Sequence, residues 1–147
     1  MKIAIGSDHG GFKLKKEIIK YLAKKKIEYK DYGTYSEESC DYPDFAFPVA
    51  KAVAAKKFDR GILICGSGVG VTIAANRFKG VRAVNVFDEY VAKQSREHGN
   101  ANILCLGGRR LSSKKAKKII NLWLKTQFSG DARHTKRIKG LDRYGSI

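Results

Sequence analysis

A chain of 147 residues with 43% hydrophobic residues is long enough to bury one core and too apolar to be a disordered segment. Its three cysteines, Cys40, Cys65 and Cys105, cannot all pair and show neither Cys-x-x-Cys nor metal-ligand spacing, which argues against a disulfide scaffold and against a metal site. A formal charge of +16 raises nucleic-acid binding, but no helix-turn-helix, zinc or aromatic-basic signature accompanies the lysines, and a solvated basic surface accounts for them.

No N-terminal apolar region or spanning segment is present, because Met1-Lys2-Ile3-Ala4-Ile5 runs straight into a strand; a cytoplasmic protein with no membrane partner is expected. That first strand, Lys2-Ile3-Ala4-Ile5-Gly6, leads into the polar loop Ser7-Asp8-His9-Gly10-Gly11. A helix is predicted from 12 to about 25, with Leu14, Ile18 and Leu22 on one buried stripe and Ile19 beside them. Lysines 13, 15, 16, 20 and 24–26 decorate it. Glu28-Tyr29-Lys30-Asp31-Tyr32 is less apolar, which predicts a second strand near an edge, followed by an exposed loop over 33–41. Tyr42-Pro43-Asp44 opens a helix with Pro in the first turn, where its missing N–H costs little. Ala46, Ala50, Val53 and Ala54 share one face of it.

Gly61-Ile62-Leu63-Ile64-Cys65 has the apolar run of a buried parallel strand, then passes through Gly66, Gly68 and Gly70 into the helix of Val71-Thr72-Ile73-Ala74-Ala75. Residues 81–86 predict a fourth strand, 88–98 a fourth helix, and Ile103-Leu104-Cys105-Leu106 a fifth strand stopped by Gly107-Gly108. Ser112 or Ser113 caps a helix carrying Ala116, Ile119, Ile120, Trp123 and Leu124. A basic C-terminal segment from about 131 holds a last helix over 133–143. Five strand-then-helix units without repeat or linker predict one domain over 1–147. Its fold class is α/β, a three-layer α/β/α sandwich with a five-stranded parallel sheet, Rossmann-like in type. The order of the last two strands stays open.

The glycine turn after Cys65 points several backbone N–H groups at one spot, which favours an anion there. Gly-x-Gly-x-Gly is not the dinucleotide fingerprint, so a nicotinamide cofactor is not implied. In such sheets ligands bind outside the carboxyl ends of the strands. There the first strand delivers Asp8 and His9, the third Cys65 and Ser67, and the fifth Arg109. Cys65 is either a core thiol or a base beside an anion cradle, Asp8 either a helix cap or a site residue, and His98 either a cap or a site residue. Arg109 and Arg110 are either surface charge or anion ligands. His98 and Asn102 precede the fifth strand, at its opposite end, and reach the pocket only through a bent loop or in a partner subunit. Arg133 and Arg137, spaced i, i+4, share a helix face and make a candidate phosphate fork. These residues fit a small phosphorylated substrate and proton abstraction next to a carbonyl, with the N–H groups holding the enediolate. Oxyanion-hole deletions place such donors at roughly 3 to 4 kcal/mol each.

Taken with their spacing, these motifs resemble those of the type B ribose-5-phosphate isomerases, grouped with the galactose-6-phosphate and allose-6-phosphate isomerases. The likeness rests on Ile3-Ala4-Ile5-Gly6-Ser7-Asp8-His9-Gly10-Gly11, Asp41-Tyr42-Pro43-Asp44 and the stretch 61–70, and covers nearly the whole chain. It continues in Ile73-Ala74-Ala75-Asn76, Ser95-Arg96-Glu97-His98, Ala101-Asn102-Ile103-Leu104, Leu106-Gly107-Gly108-Arg109, Arg133-His134 and Arg137. The resemblance implies interconversion of ribose 5-phosphate and ribulose 5-phosphate through a cis-enediolate, with no metal or cofactor. It implies Cys65 as the base between C1 and C2, Ser67 as the group moving the proton between the oxygens, and His98 with Asp8 in ring opening. His9, Arg133 and Arg137 would take the phosphate with Arg109 in support. The N–H groups of Gly66, Gly68, Val69 and Gly70 would hold the enediolate, and Tyr42 and Asn102 would line the sugar pocket. A homodimer or homotetramer with sites completed across the dimer interface is implied, which gives His98 a place in the neighbour's site.

Gly99-Asn100 follows His98 where the family usually has Asn then Asp, and Asp131-Ala132 replaces a usual Gly-Gly before Arg133. These departures leave Cys65 untouched and bear on substrate choice. An isomerase of a six-carbon sugar phosphate (allose 6-phosphate or galactose 6-phosphate) is the nearest alternative, and a basic nucleic-acid-binding module a remote one.

Overall fold

The computed structural model describes residues 1–144. Its strands are β1 (Lys2–Ser7), β2 (Glu28–Asp31), β3 (Arg60–Cys65), β4 (Ala83–Asn85) and β5 (Ile103–Gly107). They form one parallel sheet in the order β2-β1-β3-β5-β4. The helices are α1 (Phe12–Lys24), α2 (Tyr42–Ala54), α3 (Val69–Ala75), α4 (Glu89–Glu97), α5 (Ser113–Lys125) and α6 (Ala132–Arg143). A 3₁₀ turn, His9–Gly11, precedes α1.

Strand alternation divides the core into two layers. Ile3, Ile5, Ile62, Ile64, Leu104 and Leu106 meet the stripe Leu14, Ile18 and Leu22 of α1, with α4 and α5 beside it. Ala4, Leu63, Cys65, Ile103 and Cys105 face α2 and α3 on the other side. Each fully buried Leu or Ile contributes about 1.5–3 kcal/mol. The wholly buried β3 and β5 occupy the centre, while the more polar β2 and the three-residue β4 take the edges. The open order of the last two strands is resolved in favour of β5 beside β3.

One lysine departs from the solvated basic face expected of it. Lys15 is buried, and its Nζ donates to Asp31 Oδ1 and to the Thr34 carbonyl, each at 2.6 Å. Asp31 Oδ1 also accepts from Gly33 N–H at 2.9 Å, so one carboxylate joins α1 to the loop after β2. A sequence read one residue at a time cannot reveal this, because the partners come from other elements.

At the carboxyl edge of the sheet three turns touch backbone to backbone. A Cβ on Gly11 would lie 2.5 Å from the Ile64 carbonyl oxygen, one on Gly10 2.9 Å from the Gly66 nitrogen, and one on Gly108 2.7 Å from the Gly10 oxygen. Asp8 N–H donates to Ile64 O at 3.2 Å, Gly108 N–H to Cys65 O at 2.7 Å and Arg109 N–H to Gly66 O at 3.1 Å. Backbone cannot yield as a flexible side chain does. Gly11→Ala should therefore lower stability by about 1–3 kcal/mol, read as a lower urea midpoint with an unchanged slope.

Candidate active site

The sheet order reverses between β1 and β3, which makes their carboxyl ends the switch point where such sheets bind ligands. A cleft of about 490 Å³ opens there, lined by Asp8, Tyr42, Cys65, Gly66, Ser67, Gly70, Arg109 and Arg110. Of the residues expected at the first, third and fifth strand ends, Asp8, Cys65, Ser67 and Arg109 line this cleft together with Arg110, and His9 is not among its lining.

Cys65 ends β3 with only 5% of its surface exposed, and its Sγ accepts the Gly68 N–H at 3.1 Å. Gly68 reaches that position at φ 84°, in the left-handed region that disfavours a side chain. Val69 N–H is turned to Ser67 Oγ at 3.2 Å. Of the N–H groups from Gly66 to Gly70 expected to hold a ligand, those of Gly68 and Val69 are donated to side chains of the same turn. The N–H groups of Gly66, Ser67 and Gly70 have no acceptor among the described residues. Burial pushes the neighbouring Cys105 thiol up to about 12, which keeps it protonated and inert.

The walls follow from the same turns. A Cβ on Gly70 would lie 2.8 Å from the Tyr42 ring, so Tyr42 closes over the start of α3. A Cβ on Gly66 would lie 3.0 Å from an Arg109 guanidinium nitrogen, which places that charge over the glycine turn. Asp8 has both of its expected placements: it lines the cleft, and its Oδ1 accepts the Gly11 N–H at 3.1 Å as a cap. His9 Nδ1 accepts the Cys40 N–H at 3.2 Å, so in the neutral ring the proton lies on Nε2, which becomes a donor. Sequence reading missed that partner because it is a backbone group 31 residues away.

The remaining expected residues are elsewhere. Helix α4 runs back across the sheet, and its C-cap His98 stacks on His134 with ring centroids 4.3 Å apart. Ser129 Oγ lies 2.7 Å from His134 Nδ1 at the entry to α6, the helix that carries Arg133 and Arg137. This second cluster belongs to the amino-end edge of the sheet and is not part of the Cys65 cleft within one chain. Asn102 is not among the residues lining the cleft; its Oδ1 accepts the Arg82 N–H and its Nδ2 donates to the Gly80 carbonyl, both at 2.8 Å. Its side chain is spent on the turn entering β4.

Among the described residues no helix is long and apolar enough to cross a membrane. A family model described as ribose/galactose isomerase matches residues 3–141. The chain is 47% identical over 140 residues to ribose-5-phosphate isomerase B of Escherichia coli, covering 95% of this chain and 93% of that protein. Its fold is similar to that of ribose-5-phosphate isomerase B from Clostridium thermocellum, with TM-score 0.95 and 49% identity over 97% and 96% of the two chains. The enzyme from Mycoplasma genitalium, solved with bound ribulose-5-phosphate, gives TM-score 0.93 and 46% identity over 97% and 95%.

Desolvation, together with His98 and Arg133, holds the His134 imidazole below the ordinary histidine value. The unfolded chain then binds its proton more readily than the folded one. Stability from this site is complete above about pH 6.5 and is lost as pH falls below it. Urea unfolding at pH 7.5 and 5.5 should show a larger loss on acidification for the wild type than for His134→Gln.

Proposed function

The chain belongs to the ribose/galactose isomerase family and is an isomerase, and we propose that it interconverts ribose 5-phosphate and ribulose 5-phosphate through a cis-enediolate. The observation that carries this reading is the arrangement at the switch point. A cysteine sulfur receives one turn N–H, and the N–H groups of Gly66, Ser67 and Gly70 in the same stretch have no acceptor among the described residues. The ribulose-5-phosphate bound to the Mycoplasma genitalium relative supports the five-carbon substrate. The comparisons favour neither the six-carbon alternative nor a nucleic-acid-binding module.

In this reading Cys65 takes the proton from C2 of the aldose and returns it to C1. The Gly68 N–H steadies negative charge on the sulfur while that proton is absent. Negative charge developing on the substrate oxygens is met by the N–H groups of Gly66, Ser67 and Gly70, which are fixed before the substrate arrives and need no reorganisation. Ser67 Oγ, oriented by the Val69 N–H, carries the proton between O1 and O2. Tyr42 covers the sugar. The phosphate lies at His9 Nε2–H, with Arg109 in support.

Arg133, Arg137 and His98 enter from the second subunit of a homodimer. His98 of the partner subunit then stands with Asp8 to open the furanose ring. The topology supports this: both clusters are prebuilt, and one chain holds them at opposite edges of its sheet.

Cys65→Ala should lower kcat by at least about a hundredfold while leaving sugar-phosphate binding intact by calorimetry, with EDTA present throughout. Activity surviving that change would give the base to another residue. Mixing inactive Cys65→Ala with inactive His98→Ala under subunit exchange tests the interface. Random two-fold pairing would restore about a quarter of wild-type activity, because half of the dimers are hybrids with one intact site each. No recovery despite demonstrated exchange would place both residues in the service of one chain.

A further inference from the structure

The cleft at the switch point has a neighbour across Ser67. A second cavity of about 420 Å³ adjoins it, lined by Ser67, Asn85, Val86, Phe87, Gly107, Arg110, Leu111 and Lys115. Ser67 and Arg110 belong to both walls, so the two spaces lie side by side at the catalytic turn. Asn85 Nδ2 donates to the Ser67 carbonyl at 3.3 Å, which ties the floor of this annex to the catalytic turn.

Among the described residues neither Arg110 nor Lys115 pairs with a carboxylate. The nearby acid Asp88 is engaged elsewhere, its Oδ1 accepting the Val91 N–H of α4 at 2.8 Å. Lys115 lies in the first turn of α5, which contains no acid. Cations at a helix N-terminus oppose the positive end of the helix dipole, and an anion bound among them would relieve that repulsion. An aromatic ring, Phe87, stands 59% exposed at the rim.

We propose that this annex is a second phosphate subsite, and that the isomerase binds five-carbon sugars phosphorylated at both ends as inhibitors. The inference rests on the functional reading above, which puts C1 and C2 beside Cys65 and Ser67 and the 5-phosphate at His9. A phosphate on O1 then projects past Ser67 toward Arg110 and Lys115. Such a ligand cannot isomerise, because the ester removes the O1 proton that must travel to O2. It occupies the site without turnover.

The test is inhibition of ribulose 5-phosphate isomerisation by ribulose 1,5-bisphosphate, with inorganic phosphate as a parallel probe. Competitive inhibition is expected, with an inhibition constant roughly tenfold or more below the KM of the monophosphate, as one added charge-assisted contact allows. Lys115→Glu, which lies outside the catalytic cleft, should raise that constant roughly tenfold with kcat and KM for the monophosphate unchanged. Arg110→Ala should also weaken the bisphosphate. A bisphosphate binding no tighter than the monophosphate, or a constant insensitive to Lys115→Glu, overturns the proposal. Inhibition by inorganic phosphate that Lys115→Glu relieves to the same degree overturns it in favour of a free anion. Calorimetric titration with the bisphosphate separates the two readings. An inactive wild type that binds it, and loses it in Lys115→Glu, would refute the isomerase substrate and retain the annex.

Discussion

The contact on which the rest depends is the backbone-to-backbone packing of the turns after β1, β3 and β5. Gly10 and Gly11 lie against Ile64 and Gly66, and Gly108 against Gly10, with cross-turn hydrogen bonds closing the gaps. Side chains at these points would hold the turns apart. Their absence lets the ends of three different strands form one surface, so Asp8, Cys65 and Arg109 meet although they lie far apart in sequence. The hydrophobic layers beneath supply the adhesion. They do not choose this geometry, since any well-packed parallel sheet would satisfy them.

The second cluster is built by a different device. Arg60 donates to the carbonyls of Trp123 and Leu124 at 2.8 and 3.2 Å, near the end of α5, and Arg96 donates to the Thr126 carbonyl at 3.2 Å. Their guanidinium carbons sit 5.0 and 5.8 Å from the Trp123 ring. Burial lowers the Arg96 pKa to about 10, which leaves it charged at neutral pH and suited to the carbonyl end of a helix. These arginines fix where α5 stops. The chain then turns past Ser129, whose N–H donates to the Glu97 carbonyl at 3.0 Å, and α6 starts beside His98. Part of the large positive charge is therefore structural cement, distinct from the arginines that line the cleft.

Local chemistry was legible in the sequence where a pattern repeats or a turn demands glycine. The stripe Leu14, Ile18 and Leu22 declared α1, and the apolar run into Gly66, Gly68 and Gly70 declared β3 and its turn. What depends on long-range partners was not. Lys15 looks like its solvated neighbours until Asp31 and Thr34 are placed around it. Asn102 looks like a pocket residue until its amide is found spanning Arg82 and Gly80. The roles of Gly68 and Val69 turned on the direction of two N–H bonds, which the local φ and ψ decide and residue type alone does not.

The separation of the two clusters constrains how the proposed site can be assembled. Cys65 closes the carboxyl end of β3, while His98 and the α6 arginines stand at the other edge, a strand of five or six residues away, or roughly 17–20 Å. Rotamer changes cannot cross that distance, and a loop movement large enough to do so would dismantle the arginine contacts that position α6. A second copy of the chain avoids both costs. Under a two-fold axis, one chain's carboxyl edge can receive its partner's α4–α6 cluster, and symmetry then creates a second identical site. Each half is already hydrogen-bonded or stacked within its own chain, so assembly need order few side chains, and binding energy remains for the substrate.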